Sequence, residues 1–150
     1  MSTQPAYVLD TSVAVKWFAK EGGTEQAKAD QLLDALGQGE CVLKAPELLF
    51  FEVANALMIS HKFPSVKVME SLEFLRKLKV EVVVLRWSTF AKAVEIASTC
   101  GATIYDSYFL ALAIESDSVL ITADEVFLRK ARHMSKIISL RLLRTTEGTP

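Results

Sequence analysis

Tyr7-Val8-Leu9-Asp10-Thr11-Ser12-Val13-Ala14 passes from an apolar run, through one acid, into a helical pattern. The same succession returns late in the chain, where Val119-Leu120-Ile121-Thr122-Ala123-Asp124 leads into Glu125-Val126-Phe127. Strands that are apolar throughout, rather than alternating with polar residues, are covered on both faces. Strands of this kind that alternate with helices build a mostly parallel sheet with helices on either side. The two stretches therefore point to the α/β class.

Outward from them the alternation continues. A strand over residues 6–10 precedes a helix carrying Val13, Ala14, Trp17 and Phe18, which stops before Gly22-Gly23. Thr24 caps a helix to about residue 36, and Gly37 or Gly39 ends it. Cys41-Val42-Leu43 reads as a short strand, and Pro46 as the first turn of a helix reaching about His61. Pro64 and Ser65 open a helix with Val68, Leu72, Leu75 and Leu78 on one face. The valine-rich residues 80–85 read as a buried strand. Ser88 caps a helix ended by Gly101, and Thr103 begins the helix that contains Asp106. Residues 118–122 form a strand, 125–133 a short helix and 137–140 a last strand. Residues 1–5 and 145–150 are expected to fray. No repeat or linker divides the chain, so residues 1–150 read as one domain.

At 150 residues and 51% hydrophobic composition, with positive mean hydropathy, the chain can bury a real core and is not generally disordered. No apolar stretch approaches the roughly 18 to 20 residues of a membrane span. The first residues, Met1-Ser2-Thr3-Gln4-Pro5, lack the features of a signal peptide. A cytoplasmic protein with no membrane contact is expected. Cys41 and Cys100 are too isolated for a disulfide framework or zinc site and read as small buried hydrophobes. A net charge of −1 excludes nucleic-acid binding by bulk charge. The acid-free run Arg129, Lys130, Arg132, Lys136, Arg141 and Arg144 reads equally as a phosphate-facing patch or a solvated tail.

Four acids lie where apolar runs meet helical patterns: Asp10, Glu52, Asp106 and Asp124. Ionised carboxylates in such surroundings are costly unless something positive or hydrogen-bonding compensates. Asp10 and Asp124 fall at the carboxyl ends of predicted strands, where parallel sheets bind ligands. Glu52 and Asp106, near the starts of helices, can face the same crevice. A divalent cation is the natural compensator for four acids brought together. Singly, each acid also has a structural reading, as a helix cap, first-turn acid or turn initiator. Glu52, between Phe51 and Val53, fits that reading least.

The motifs resemble those of a known family. Val8-Leu9-Asp10-Thr11-Ser12-Val13 and Pro46-Glu47-Leu48, leading to Glu52-Val53-Ala54-Asn55-Ala56-Leu57, look like the first two signatures of PIN-domain nucleases. Tyr105-Asp106-Ser107-Tyr108-Phe109-Leu110 and Leu120-Ile121-Thr122-Ala123-Asp124-Glu125 look like the third and fourth. The likeness spans nearly the whole chain in order, and is nearest the VapC type, the toxin half of prokaryotic toxin–antitoxin pairs. It implies a three-layer α/β/α domain and a metal-dependent endoribonuclease with Asp10, Glu52, Asp106 and Asp124 as metal ligands. Thr11, Ser12 and Thr122 resemble the hydroxyls that hold these carboxylates or the substrate phosphate, and Asn55 matches a common polar position behind the ligands. Glu125, adjacent to Asp124, blurs the fourth ligand, and the Thr-x-Asp pattern favours Asp124. A homodimer and a small antitoxin partner are also implied.

Oxygen ligands select Mg²⁺ or Mn²⁺. Four carboxylates have capacity for two ions about 4 Å apart, which would activate water and stabilise the leaving 3′-oxygen, giving a 5′-phosphate and a 3′-hydroxyl. Crowding the acids raises at least one pKa. Lys16, Lys20, Lys44, Lys62, Arg86 and Arg129 are candidates for holding the RNA, while His61 and His133 read as helix-end residues. Other readings are an RNA-processing PIN nuclease without antitoxin and a catalytically silent PIN-like binding module. Phosphotransfer domains fit poorly, since Ser12 stands where a phosphatase needs a second aspartate.

Overall fold

A five-stranded sheet runs through the centre of the computed structural model, which describes residues 4–144. The fraying expected of residues 1–3 and 145–150 lies outside the described residues. The strands are β1 (Ala6–Leu9), β2 (Val42–Pro46), β3 (Val80–Val83), β4 (Val119–Thr122) and β5 (Ile137–Ser139), in the order β3-β2-β1-β4-β5. Every pairing is parallel. Val8 lies between Lys44 and Leu120, and Leu9 beside Ile121. Val8, Leu9, Leu43, Leu120 and Ile121 are wholly buried, as central strands covered on both faces must be.

The helices are α1 (Thr11–Ala14), α2 (Gly23–Gly37), α3 (Leu48–Asn55), α4 (Ser65–Lys77), α5 (Trp87–Cys100), α6 (Ile104–Glu115) and α7 (Glu125–Lys130). From β1 the chain steps to β2 and then β3, returns across β1 to β4, and steps on to β5. Right-handed crossovers therefore place α1–α4 over one face and α5–α7 over the other. In keeping with this, α3 packs on α1 and α4, while α5 packs on α6. Helix α6 lies against β1, β2 and β4 and is buried from Ser107 to Ala113 without a polar stripe. A helix apolar on every side is one enclosed on every side. The layered α/β/α class expected from the alternation is the class observed.

Several local expectations are corrected. Residues 80–85 are not a buried strand: β3 stops at Val83 and pairs only with β2, leaving Val84 and Leu85 exposed at the edge. Pro46 closes β2 instead of opening the next helix, and sits opposite Val83. Helix α2 starts at Gly23, after Gly22 in a left-handed conformation (φ 79), so Thr24 is not its cap. Helix α5 starts at Trp87 with no side-chain cap from Arg86, which displaces Ser88 from that role. Gly101 (φ 66) ends α5 and Thr103 caps α6, both as expected.

Candidate active site

The order in which strands are added reverses between the parallel neighbours β1 and β4, and a crevice opens beyond their carboxyl ends. Asp10 stands there, one residue past β1, its backbone N–H donating to the Ile121 carbonyl at 3.2 Å. Its side chain caps α1 and is 5% exposed. Oδ2 accepts from the Ser12 N–H at 3.3 Å, Ser12 Oγ at 2.5 Å and Thr122 Oγ1 at 2.9 Å. The two hydroxyls in turn accept from the connection between β4 and α7: Ser12 Oγ from Ala123 N at 2.9 Å, Thr122 Oγ1 from Asp124 N at 3.1 Å. A hydroxyl has one hydrogen, and both are spent on Asp10. The adjoining strand ends are thus laced together around one carboxylate oxygen.

The other acids are held in a similar manner. Thr11 Oγ1 donates to Glu52 Oε1 at 2.7 Å, bridging α1 to α3. Asp124 caps α7, its Oδ1 accepting from Phe127 N at 3.0 Å. Asp106 lies in the first turn of α6, where a negative charge suits the helix dipole, and its N–H donates to Thr103 Oγ1 at 3.1 Å. The structural roles open to each acid singly are therefore real for Asp10, Asp106 and Asp124. They occupy one oxygen of Asp10 and one of Asp124, as Thr11 occupies one of Glu52. No donor among the described residues reaches Asp10 Oδ1, Glu52 Oε2 or Asp124 Oδ2.

All four acids line one cavity of about 720 Å³, together with Thr11, Ser12 and Asn55. None of the four is in a salt bridge among the described residues. Burial therefore raises the pKa values of Asp10, Glu52 and Asp106. Burial pushes the Asp106 carboxyl up to about 6, Asp10 and Asp124 add to the rise, and Thr103 and Lys130 work against it. Burial raises Glu52 too, reinforced by Asp10 and Asp106 and resisted by Thr11. Asp10 is raised by burial and by Asp124, against the hydrogen bonds from Ser12 and Thr122. Among the described residues no three acidic, histidine or cysteine side chains are grouped tightly enough to enclose an ion. Mg²⁺ needs only one or two protein carboxylates and keeps several waters, so acceptor-only oxygens facing shared space match its requirement.

Thr122 is buried behind Asp10 and is not on the cavity wall. Glu125 is also off the wall. Its carboxylate meets Arg141 at 2.9 Å, and Arg141 reaches Glu25 at 3.3 Å. Part of the basic run is thereby neutralised, and Lys136 likewise pairs with Asp117 at 2.8 Å. Of the proposed RNA-holding cations, only Lys16 lines the cavity, 3.9 Å from Glu25. Lys20 pairs instead with Asp30. Glu21, Phe51, Ser60, His61 and Tyr105 also line the cavity, though none of them belongs to the expected site. Tyr105 and Phe51 could have been found as neighbours of Asp106 and Glu52; no sequence signal distinguishes Ser60 or His61.

A family model described as PIN domain matches residues 7–133. No curated protein is significantly similar in sequence. Among solved structures, the chain is similar to a toxin–antitoxin complex from Klebsiella pneumoniae (TM-score 0.67, 14% identity, covering 89% of this chain and 97% of that one). It is also similar to PAE2754 from Pyrobaculum aerophilum (TM-score 0.62, 21% identity, 91% and 90% covered). A third is VapBC2 from Rickettsia felis bound to a DNA fragment from its promoter (TM-score 0.65, 15% identity, 89% and 96% covered). At these identities the likeness is one of fold.

Proposed function

Because the chain belongs to the PIN-domain family, we propose that it is a Mg²⁺- or Mn²⁺-dependent endoribonuclease and the toxin half of a toxin–antitoxin pair. The observation that carries the reading is the cavity itself. Four carboxylates on four different elements face one space, three of them with one oxygen engaged by the protein and the other reached by no donor among the described residues. Asp10, Glu52, Asp106 and Asp124 would hold the cation. When bound, it supplies charge neutralisation at the phosphoryl oxygens and activation of the attacking water. The protein's own part is orientation. Ser12 and Thr122 fix Asp10, Thr11 fixes Glu52, and the α7 cap fixes Asp124, so little reorganisation is left for the reaction. All four acids being present argues against a silent binding module.

The toxin assignment is supported by the company of toxin–antitoxin structures among those similar in fold. A homodimer is supported by an apolar groove beside the cavity, lined by Leu48, Phe51, Leu85, Phe90 and Tyr105 and continued by the exposed Trp87, which stacks on Phe90. Contiguous exposed apolar surface of this kind marks an interface. A separate apolar strip on α4 (Val66, Met69, Phe74) is available to a small antitoxin. No helix among the described residues is long and apolar enough to cross a membrane.

The test is cleavage of single-stranded RNA by purified protein with Mn²⁺. Cleavage is expected with the ion, giving 5′-phosphate ends, and none with EDTA. Asp10→Asn and Asp106→Asn should each abolish it while the circular dichroism spectrum stays native. Activity surviving EDTA, or surviving in both variants, overturns the reading.

A further inference from the structure

Helix α3 does not run on as an α-helix to His61. Over Ala56–Ser60 it widens into a π turn, in which the His61 N–H donates to the Ala56 carbonyl, five residues back, at 3.2 Å. A π turn holds one residue more than an α turn, so each later side chain is set back by one helical step, about 100°. Glu52, Asn55 and Ala56 define the helix face on the carboxylate cavity. Continued as an α-helix, that face would next present Ile59, seven residues after Glu52, and His61 would point to the opposite side. With the extra residue, Ser60 takes the place of Ile59 and His61 stands next to it. The side chains follow this rule: Ser60 and His61 line the cavity, and Ile59 is 60% exposed to solvent. The backbone has exchanged an apolar residue for a hydroxyl and an imidazole on the wall.

The imidazole is braced but not engaged. Phe63 meets it edge-on at 6.4 Å between ring centres, and Phe63 is itself packed on the core with its N–H tied to the Leu57 carbonyl at 2.9 Å. Lys62, in the left-handed region (φ 57), makes the turn between the two rings. Among the described residues no group hydrogen-bonds to either ring nitrogen of His61 or to Ser60 Oγ. An imidazole carries at least one N–H in either protonation state, and serine carries one O–H. The carboxylates of this cavity repel a phosphodiester, and Lys16, the one cation on its wall among the described residues, shares its charge with Glu25. Donors that the protein leaves uncommitted are what a phosphate oxygen needs there.

We propose that His61 and Ser60 grip a backbone phosphate of single-stranded RNA and set its register past the carboxylates, His61 acting as a positioning residue. The inference rests on the ribonuclease reading of the cavity. It is tested by fluorescence anisotropy, with a labelled single-stranded RNA oligonucleotide titrated against Asp10→Asn protein, which should bind without cutting. Adding His61→Ala should weaken binding about tenfold or more, and adding His61→Gln, which keeps an N–H donor, should restore it to within about threefold. Thermal unfolding checks that each variant is folded. In the cleaving wild-type background the His61→Ala loss should fall more on KM than on kcat. Equal affinity with and without His61, glutamine no better than alanine, or no saturable binding by the Asp10→Asn parent would overturn the proposal. His61-dependent binding by a protein that cleaves no RNA would sink the ribonuclease reading and leave the grip standing. RNA cleavage with binding indifferent to His61 would do the reverse.

Discussion

Asp106 carries the clearest electrostatic signature in the molecule, a carboxyl raised from 3.8 to about 6 by burial and by Asp10 and Asp124. The folded pKa lies above the unfolded one, so its contribution to stability is full below about pH 4 and is lost as pH rises through 6. In EDTA, the melting temperature of the wild type should fall between pH 5 and 7.5. Asp106→Asn should flatten that fall and melt higher than wild type at pH 7.5. Parallel curves for the two proteins would show that the Asp106 carboxyl is not raised in the folded protein. Thr122 is the opposite case, a wholly buried hydroxyl that both donates to Asp10 and accepts from the Asp124 N–H. Replacing it by valine takes one donor from the buried Asp10 carboxylate and the acceptor from the half-buried Asp124 N–H, and should cost about 1–3 kcal/mol in urea unfolding, whereas serine should recover most of that. An unaltered midpoint for Thr122→Val would mean the lacing of β1 to β4 is ornamental.

The strands on either side of that lacing were legible because their residues leave no choice. Val8-Leu9 and Leu120-Ile121 are apolar without interruption and each run ends on an acid, and the observed β1 and β4 carry Asp10 and Asp124 into one crevice. Thr103 as the cap of α6 and Gly101 as the stop of α5 were legible for a similar reason, since each supplies a local bond or dihedral that few residues can. The edge position of β3 was not. A valine-rich run looks alike whether one neighbour or two will pair with it, and only the sheet order decides. The π turn after α3 was illegible too, because one inserted residue leaves no compositional trace, and it is what turns His61 toward the cavity. It also makes a prediction at this scale. Deleting the exposed Met58 removes the surplus residue, so α3 can close as a regular helix with Ser60 and His61 still on the cavity wall. That variant should stay folded and bind RNA within about threefold of its parent, since no phosphate contact is lost. Binding as weak as that of His61→Ala would show that the wider turn itself, not the register it sets, is what matters.

At the scale of the whole molecule, the apolar surface is unevenly spread. Phe51, 74% exposed, lines both the apolar groove and the carboxylate cavity, and Trp87, 80% exposed, stacks on Phe90 of the same groove. If a second copy covers that groove, Trp87→Glu should shift the wild-type dimer to a monomer in sedimentation velocity; a wild type that is already monomeric, or a variant still dimeric, removes the dimer from this face. The sheet order governs the function more deeply than the surface does. One reversal of strand order, between β1 and β4, opens the crevice that gathers acids from the ends of two strands, the first turn of α6 and, contrary to the expected helix start, the middle of α3. The central claim is that this gathering is a cation site. Titration of Mn²⁺ into the metal-free protein, with the free ion followed by electron paramagnetic resonance, tests it most directly. At pH 7.5 saturable binding is expected. It should weaken about tenfold at pH 5, one unit below the Asp106 value, where protons compete for the same oxygens, and at least as much when Asp10→Asn and Asp106→Asn are combined. Binding of equal strength in the double variant, or equal at both pH values, would contradict the account.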